Sequence, residues 1–301
     1  MSLSDKIENA HIPEQRPLAI FSDFDGTIFL QDTGHVLFDK FGCGPERRAE
    51  LDESIFTGER TFKGASELLW GSLKDVTLEQ GFRQLEKELT MDPGFPEFLK
   101  YIQRHHIPFS VISAGIRPLL RVALDESIGK EKSAEINIVS NDAIIAADGS
   151  KWTPLWRHPD SDLGHDKSVS LQEFKDATEE VNPIIVFIGD GVSDLPAAKH
   201  SDVLFARRGL KLEQYCQTNK IPYIAYDDFN DIRRELRKYV KGNRHHDLKY
   251  GASDDAELVR SAASSMETSP SASPGLKPLT NLKMTKTEKE LDKLDGLKLD
   301  K

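Results

Sequence analysis

Five short, mostly apolar runs free of any charge are spaced along this chain, with helical patterns lying between them. They are Leu18–Ser22, Pro108–Ile112, Ile136–Val139, Ile184–Ile188 and Val203–Phe205, and Pro222–Ala225 is a weaker sixth. Strands buried on both faces of a parallel sheet read in this way, because neither side of the pleat meets water. Just ahead of the second run, Phe95, Phe98, Leu99 and Ile102 follow the spacing of one helix face. Strand and helix in alternation predict an α/β fold with a mostly parallel sheet and right-handed crossovers.

One stretch breaks the alternation. Between Ile28 and Met91 no strand is expected, yet Leu78, Phe82, Leu85 and Leu89 form one helical stripe and Leu68, Leu69 and Leu73 part of another. A plain crossover needs far fewer residues, so residues 28–92 read as a small helical subdomain inserted after the first strand. That position overhangs the C-terminal edge of the sheet, where α/β folds bind ligands. A second irregularity runs from Ala143 to Trp156, where Asp148-Gly149 between apolar arms predicts a β-hairpin. The main fold is thus expected over 17–27 and 93–241, behind a loose leader at 1–16. From 242 to 301 the chain is polar, holds a Ser-Pro-rich stretch and reads as a disordered tail. Ser269 and Ser273, each followed by proline, are candidate phosphorylation positions there.

Composition narrows the class. A net charge of −10 over 301 residues argues against a nucleic-acid-binding surface. No apolar run reaches the about 18 residues that a membrane span requires, so no membrane partner is expected. Cys43 and Cys216, the only cysteines, lie far apart in sequence, which points to a reducing, cytoplasmic setting with nuclear entry open. Oligomeric state is not legible.

The chemistry lies where the runs stop. The first ends in Asp23-Phe-Asp25-Gly-Thr27. Residues i and i+2 of a strand share a side, so both carboxylates can face one volume, as a cation harness or an acid/base pair. The second ends in Ser113-Ala114-Gly115 ahead of Pro118, which suits either a phosphate nest at a helix start or an ordinary helix cap. Gly164-His-Asp-Lys167-Ser168 sets a lysine at the positive end of a helix, a poor place without an anion but also a common surface residue. The fourth run ends in Gly189-Asp190-Gly-Val-Ser-Asp194. So many carboxylates at neighbouring strand ends would repel one another without a cation, and Mg²⁺ favours such oxygen donors.

These four segments resemble, in order and kind, the motifs of the haloacid dehalogenase-like phosphatases, and the insert resembles their helical C1 cap. The likeness spans about Leu18 to Val240. Within the family, Asp92-Pro-Gly-Phe95, Ile138-Val-Ser-Asn141, Gly164–Ser168 and Leu204-Phe-Ala-Arg207 resemble the branch of fungal polyol-phosphate phosphatases, with the bacterial methylthio-ketopentenyl-phosphate phosphatases more distant. The resemblance implies a Rossmann-like three-layer core and a Mg²⁺-dependent phosphomonoesterase. Asp23 would be the nucleophile that becomes an aspartyl-phosphate, Asp25 the general acid and base, and Lys167 the charge-neutralising cation. Thr27, Ser113, Ala114 and Gly115 would hold the phosphoryl oxygens. Asp23, Asp25 (through its carbonyl), Asp190 and Asp194 would bind or support the metal.

The substrate implied is a small phosphorylated metabolite. The segment from Phe29 to His35 lacks the glutamate associated with phosphoserine recognition, which counts against that substrate. Gln31, Asp32, His35 and Arg117 are candidate selectivity residues by position. The methylthio-pentulose ester is the alternative substrate. A non-catalytic scaffold that recruits a partner through the tail is the reading from another class, weakened because all four motifs are complete.

Overall fold

The computed structural model describes residues 16–242 and 254–268; the expected leader, apart from Arg16, and the Ser-Pro-rich stretch with Ser269 and Ser273 lie outside the described residues. Seven strands form one sheet: β1 (Leu18–Ser22), β2 (Phe109–Ile116), β3 (Asn137–Ile145), β4 (Trp152–Leu155), β5 (Ile184–Gly189), β6 (Val203–Arg207) and β7 (Ile224–Tyr226). Their spatial order is β4-β3-β2-β1-β5-β6-β7. Every neighbouring pair is parallel except β3 with β4. The first strand is therefore central, and its five residues are all buried. That explains why it reads as a continuous apolar run rather than an alternating one.

The expected hairpin is present but is not a separate projection. Its first arm is the continuation of β3 beyond Asn141, and β4 returns beside it as the antiparallel edge strand. Gly149 makes the turn at φ +77°. Trp152 on β4 is buried and donates its indole N–H to the Val76 carbonyl at 2.8 Å.

Four helices follow β1 before the chain returns to the sheet: α1 (Thr33–Phe41), α2 (Gly44–Phe56), α3 (Phe62–Gly71) and α4 (Leu78–Glu88). They enclose a cluster of their own, in which Leu37, Leu51, Leu69, Trp70 and Leu85 are buried together with Trp152. Trp70 stacks on Trp152 with centroids 6.1 Å apart. Leu68, read as part of an apolar stripe, instead faces outward at 47% exposure. The insert leaves and rejoins the core at one place, where Leu30 N–H donates to the Thr90 carbonyl (2.9 Å) and Asp92 N–H to that of Ile28 (2.8 Å). The buried Asp92 carboxylate pairs there with Arg207 at the end of β6.

The remaining helices are α5 (Phe95–Arg104), α6 (Arg117–Ile128), α7 (Lys130–Ala134), α8 (Lys167–Ala177), α9 (Leu195–Ala198), α10 (Lys211–Asn219), α11 (Phe229–Gly242) and α12 (Asp254–Thr268). Two apolar clusters occupy the two faces of the sheet. One gathers α5 and α11 residues such as Phe98 and Phe229 around Ile20 and Val186. The other packs Leu171 and Phe174 of α8 on Phe21 and Phe187.

The second face corrects the expected tail. Residues 254–268 are helical, and Val259, Ala262, Ala263 and Met266 are buried in that cluster. Small side chains spaced along one helix face fit closely against an existing apolar surface, so burial here comes from the partner and not from the segment's own hydrophobicity. No helix among the described residues is long and apolar enough to cross a membrane.

Candidate active site

Backbone register decides which residues meet. Ser22 pairs with Val111 on one side and Ile188 on the other. Asp23, one residue beyond Ser22, and Ser113 and Asp190, two beyond its partners, therefore emerge at the same C-terminal edge of three adjacent strands. The turn after β1 needs Gly26, at φ +75°, where a Cβ would stand 2.4 Å from Asp190 Oδ2.

Lys167 opens α8 behind Asp166, whose side chain caps the helix by accepting from Ser168 N–H at 2.9 Å. Its ammonium is fully buried and touches Asp23 Oδ1 at 2.8 Å and Asp194 Oδ1 at 2.7 Å. Asp194 Oδ2 accepts from the N–H groups of Asp190 (2.9 Å) and Gly191 (3.0 Å), which shapes the turn that carries Asp190. Asp23 Oδ1 also accepts from Phe24 N–H at 2.7 Å, and no described hydrogen bond uses its Oδ2. Oxygens of Asp23, Asp190 and Asp194 lie within 4.8 Å of one another.

Two buried carboxylates and the half-buried Asp190 thus gather around one ammonium. Burial, reinforced by Asp194, pushes Asp23 well above its ordinary range despite Lys167. Burial with help from Asp194 likewise lifts Asp190 to about 7. Burial would strip the Lys167 proton, but Asp194 and Asp23 together hold the ammonium above its usual value. Two negative charges remain in surplus among oxygen-only donors, the set that a hard divalent cation satisfies.

Asp25 faces away from this cluster. Its Oδ1 accepts from Thr33 N–H at 2.8 Å, at the base of the insert. A Cβ on Gly115 would meet both Asp25 Oδ2 (3.2 Å) and Ser113 Oγ (3.1 Å), so the bare glycine leaves room between the acid and the irregular end of β2. Burial, then repulsion from Asp32, raises Asp25 to about 8, which keeps its proton at neutral pH. Ser113 Oγ accepts from Gly115 N–H at 2.9 Å, leaving its own proton to donate elsewhere.

The haloacid dehalogenase-like hydrolase family matches residues 20–199. The chain belongs to this family. It is 36% identical to Pdp3-interacting factor 1 of Schizosaccharomyces pombe over 225 residues, 75% of this chain and 97% of that one. It is 35% identical to polyol phosphate phosphatase PYP1 of Saccharomyces cerevisiae over 232 residues, 75% and 95% of the two chains. A 2-hydroxy-3-keto-5-methylthiopentenyl-1-phosphate phosphatase of Bacillus mycoides is 29% identical over 227 residues, 74% and 98%. Among solved structures, a probable phosphoserine phosphatase from Vibrio cholerae shares the fold at TM-score 0.58 and 19% identity, over 78% of this chain and 68% of that one.

In this haloacid dehalogenase-like hydrolase a cavity of about 260 Å³ opens between the strand edge and the helical insert. Asp23, Asp25, Ser113, Ala114, Gly115 and Asp190 form its floor. Two of the four selectivity candidates, Asp32 and His35, line its roof. The other two do not. Gln31 accepts from Thr90 N–H at 2.7 Å beside the hinge, and Arg117 is engaged by Glu267 of α12 at 3.1 Å. Position in sequence after a motif did not reveal which way these side chains turn.

Thr27 also departs from expectation. It is buried behind the floor and its hydroxyl donates to Asp190 Oδ1 at 2.7 Å, so it holds a carboxylate and not a phosphoryl oxygen. His165, which flanks the lysine, lies outside the cavity lining and bonds the Ser113 carbonyl at 2.6 Å.

Lining residues absent from the sequence reading include Asp52, Phe56, Trp70 and Lys211. Lys211 was within reach of the rule that strand ends carry the site, since it begins α10 directly after β6. The other three needed the packing of the insert. On that roof His35 Nε2 lies 3.6 Å from Asp52 Oδ2, and Asp52 also accepts from Arg48 at 2.8 Å. Burial alone would lower the His35 imidazole, but Asp32 and Asp52 outweigh it and hold it up at about 9.

Proposed function

We propose that the chain is a Mg²⁺-dependent phosphatase that hydrolyses small polyol phosphates through an aspartyl-phosphate. The observation that carries this reading is the separation of two carboxyl groups by environment. Asp23 sits against a buried ammonium with one oxygen free of hydrogen bonds, while Asp25, two residues on, is held near a pKa of 8. One group is set against an ammonium and the candidate cation position, where a bound cation favours its ionised form, and the other bonds the base of the insert outside that cluster, the division that a two-step displacement requires.

In the first step Asp23 Oδ2 attacks phosphorus and the ester P–O bond breaks. Asp25 passes its proton to the departing alkoxide. Ser113 O–H and the backbone amides around Gly115 receive the phosphoryl oxygens, and Lys167 offsets charge shared between Asp23 and the transferring group. In the second step Asp25, now ionised, takes a proton from water, which attacks phosphorus and releases Asp23 and inorganic phosphate. Mg²⁺ held by Asp23, Asp190 and the Asp25 carbonyl would supply charge stabilisation at the phosphoryl oxygens. Both Asp194 oxygens already accept hydrogen bonds, so its part is to position Lys167 and the Asp190 turn.

Substrate class follows from the cavity. Its volume is at the low end of ligand pockets, which run from ~300 Å³ upward, so the partner is a small metabolite. Asp32, Asp52 and protonated His35 supply acceptors and a donor for hydroxyl groups. The relative named for polyol phosphates supports the same class. Phe38, Ile55 and Leu69 give part of the roof an apolar character that suits a methylthio chain, the alternative drawn from the Bacillus relative.

The test is Mg²⁺-dependent phosphate release from ribitol, sorbitol and glycerol phosphates, phosphoserine and the methylthio-pentulose ester. An Asp23→Asn protein serves as control and is expected to lose about 10⁴-fold or more in kcat. Preference for the methylthio ester would move the assignment to that substrate. Equal turnover by wild type and Asp23→Asn would overturn the mechanism.

A further inference from the structure

The phosphate loop, Ser113-Ala114-Gly115 at the irregular end of β2, is held from behind by a set of polar contacts that the chemistry above does not use, and all of them lead to Arg157. Both carbonyls of the loop are engaged. His165 Nδ1 bonds the Ser113 carbonyl at 2.6 Å, and Asn141 Nδ2 donates to the Ala114 carbonyl at 2.8 Å. Arg157 serves each branch. Its backbone N–H donates to Asn141 Oδ1 at 2.9 Å, and its Nε–H donates to Ser170 Oγ at 3.1 Å. Ser170 Oγ in turn lies 2.9 Å from His165 Nε2.

The directions of these bonds are forced. A carbonyl only accepts, so His165 carries its proton on Nδ1 and its Nε2 must accept. Ser170 therefore donates to His165 and accepts from Arg157, so this branch runs one way from the guanidinium to the Ser113 carbonyl, while the other runs from the Arg157 backbone N–H through Asn141 to the Ala114 carbonyl. Arg157, His165, Ser170 and Asn141 are all buried, so breaking one link strands another polar group away from water.

Arg157 is fixed at its outer end by α12. Its Nη1 donates to the Met266 carbonyl at 3.1 Å, and its Nη2 pairs with Glu173 of α8 at 3.2 Å. Arg117, the first residue after the loop, donates to the Glu267 carbonyl (2.9 Å) and to the Glu267 carboxylate (3.1 Å). Two guanidiniums, one reached through each flank of the loop, thus meet the last turn of one helix. The apolar face of the same helix is anchored by Val259, Ala262, Ala263 and Met266.

We propose that the helix 254–268 is a clamp for the phosphate loop, and that Arg157 is the positioning residue that transmits it. The inference rests on the reading of Ser113 and Gly115 as holders of the phosphoryl group. Undocking the helix frees Arg157 and Arg117 together, and the loop then loses the fixed geometry that its donors need. The effect falls on phosphate affinity and turnover alike, and it does not fall on the choice between substrates, because the insert is untouched.

Three full-length variants test this. Val259→Asp puts a charge into the buried face of the helix, Arg157→Lys keeps the charge but loses the fork, and Glu267→Gln weakens the outer clasp alone. Three quantities are read: inhibition by inorganic phosphate, kcat/KM on a polyol phosphate, and the exchange-protected imidazole N–H resonance of His165 in proton NMR. Val259→Asp and Arg157→Lys are expected to weaken phosphate inhibition and kcat/KM about tenfold each. Selectivity ratios stay constant and the His165 resonance shifts or broadens. Glu267→Gln is expected to move both in the same direction by about two- to threefold, and it carries the comparison with Arg157→Lys if Val259→Asp does not fold. Unchanged phosphate inhibition and an unchanged His165 resonance in the variants would overturn the clamp while leaving the phosphatase reading intact. A wild-type protein inert on every ester, whose His165 resonance still responds to the variants, would overturn the phosphatase reading and leave the coupling of helix to loop standing.

Discussion

The floor and the roof of the cavity are built on opposite principles. On the floor, Lys167 and Asp194 are fully buried and Asp23 nearly so, and their partners are backbone amides or one another at 2.7 to 3.0 Å. On the roof, His35 and Asp32 are each 38% exposed at the side chain and Asp52 29%, and the ion pairs run from 2.8 to 4.0 Å. A buried polar network stays in one geometry because any broken link is left without water to replace it. An exposed one rearranges at little cost. Chemistry common to all substrates belongs where geometry cannot drift, and discrimination belongs where side chains can exchange partners. Lys211, which lies 5.2 Å from the ring of the exposed Phe56, is the point where floor and roof touch across the cavity mouth.

The comparison breaks most easily at Asp194. Asp194→Asn keeps the shape of the side chain but removes one of the two charges that hold Lys167. If the floor acts as a unit, kcat falls about 10²- to 10³-fold for every ester alike, the scale of losing one electrostatic group in a preorganised site. Turnover within tenfold of wild type would mean that Asp23 alone orients the lysine, and the floor would then be no more rigid than the roof.

How much of this was legible in the residues follows the same division. Asp23, Lys167, Asp190 and Asp194 were readable because each stands at the end of an apolar run or the start of a helix, so local pattern sets its place. Asp52 and Trp70 were not, because what brings them over the floor is the packing of four helices and Trp152 of β4. Thr27 was readable as a site residue but not as a support for Asp190, its partner 163 positions away. Arg117 was misread for the same reason, since Glu267 lies 150 residues along the chain. The helix 254–268 was hidden by its composition: alanines and a single valine and methionine do not stand out from a polar stretch, although the sheet face makes them a core. The mostly parallel sheet followed from the alternation, but the merging of the hairpin into β3 did not, because the run continues past polar Ser140 and Asn141.

On the roof the expected effects are smaller and selective. Asp52→Asn removes a hydroxyl acceptor at the cavity wall and loosens His35 and Arg48. The KM for polyol phosphates is expected to rise about five- to tenfold, with kcat and inhibition by inorganic phosphate little changed. An equal loss for glycerol phosphate and for the longer polyol esters would show that Asp52 supports the floor, and the division of labour would fail at that residue.

The smallest effect separates the two regions without any substrate. His35 is held protonated up to about 9 by Asp32 and Asp52, against burial and the nearby Arg48, whereas an unfolded imidazole gives up its proton near 6.5. Between these values the folded chain binds more protons than the unfolded one, so stability falls as pH rises through that window. The contribution is fully present below pH ~6.5 and gone above pH ~9. Because His35 and Asp32 are more than a third exposed, solvent screening reduces it to about 1 kcal/mol. Urea unfolding of wild type and His35→Gln from pH 6 to 9.5 reads the difference directly. The curves are expected to converge by about 1 kcal/mol across the window, and to do so less at high salt. A constant gap between them would mean that His35 contributes by packing alone, and that its pairing with Asp32 and Asp52 adds nothing to stability in this range.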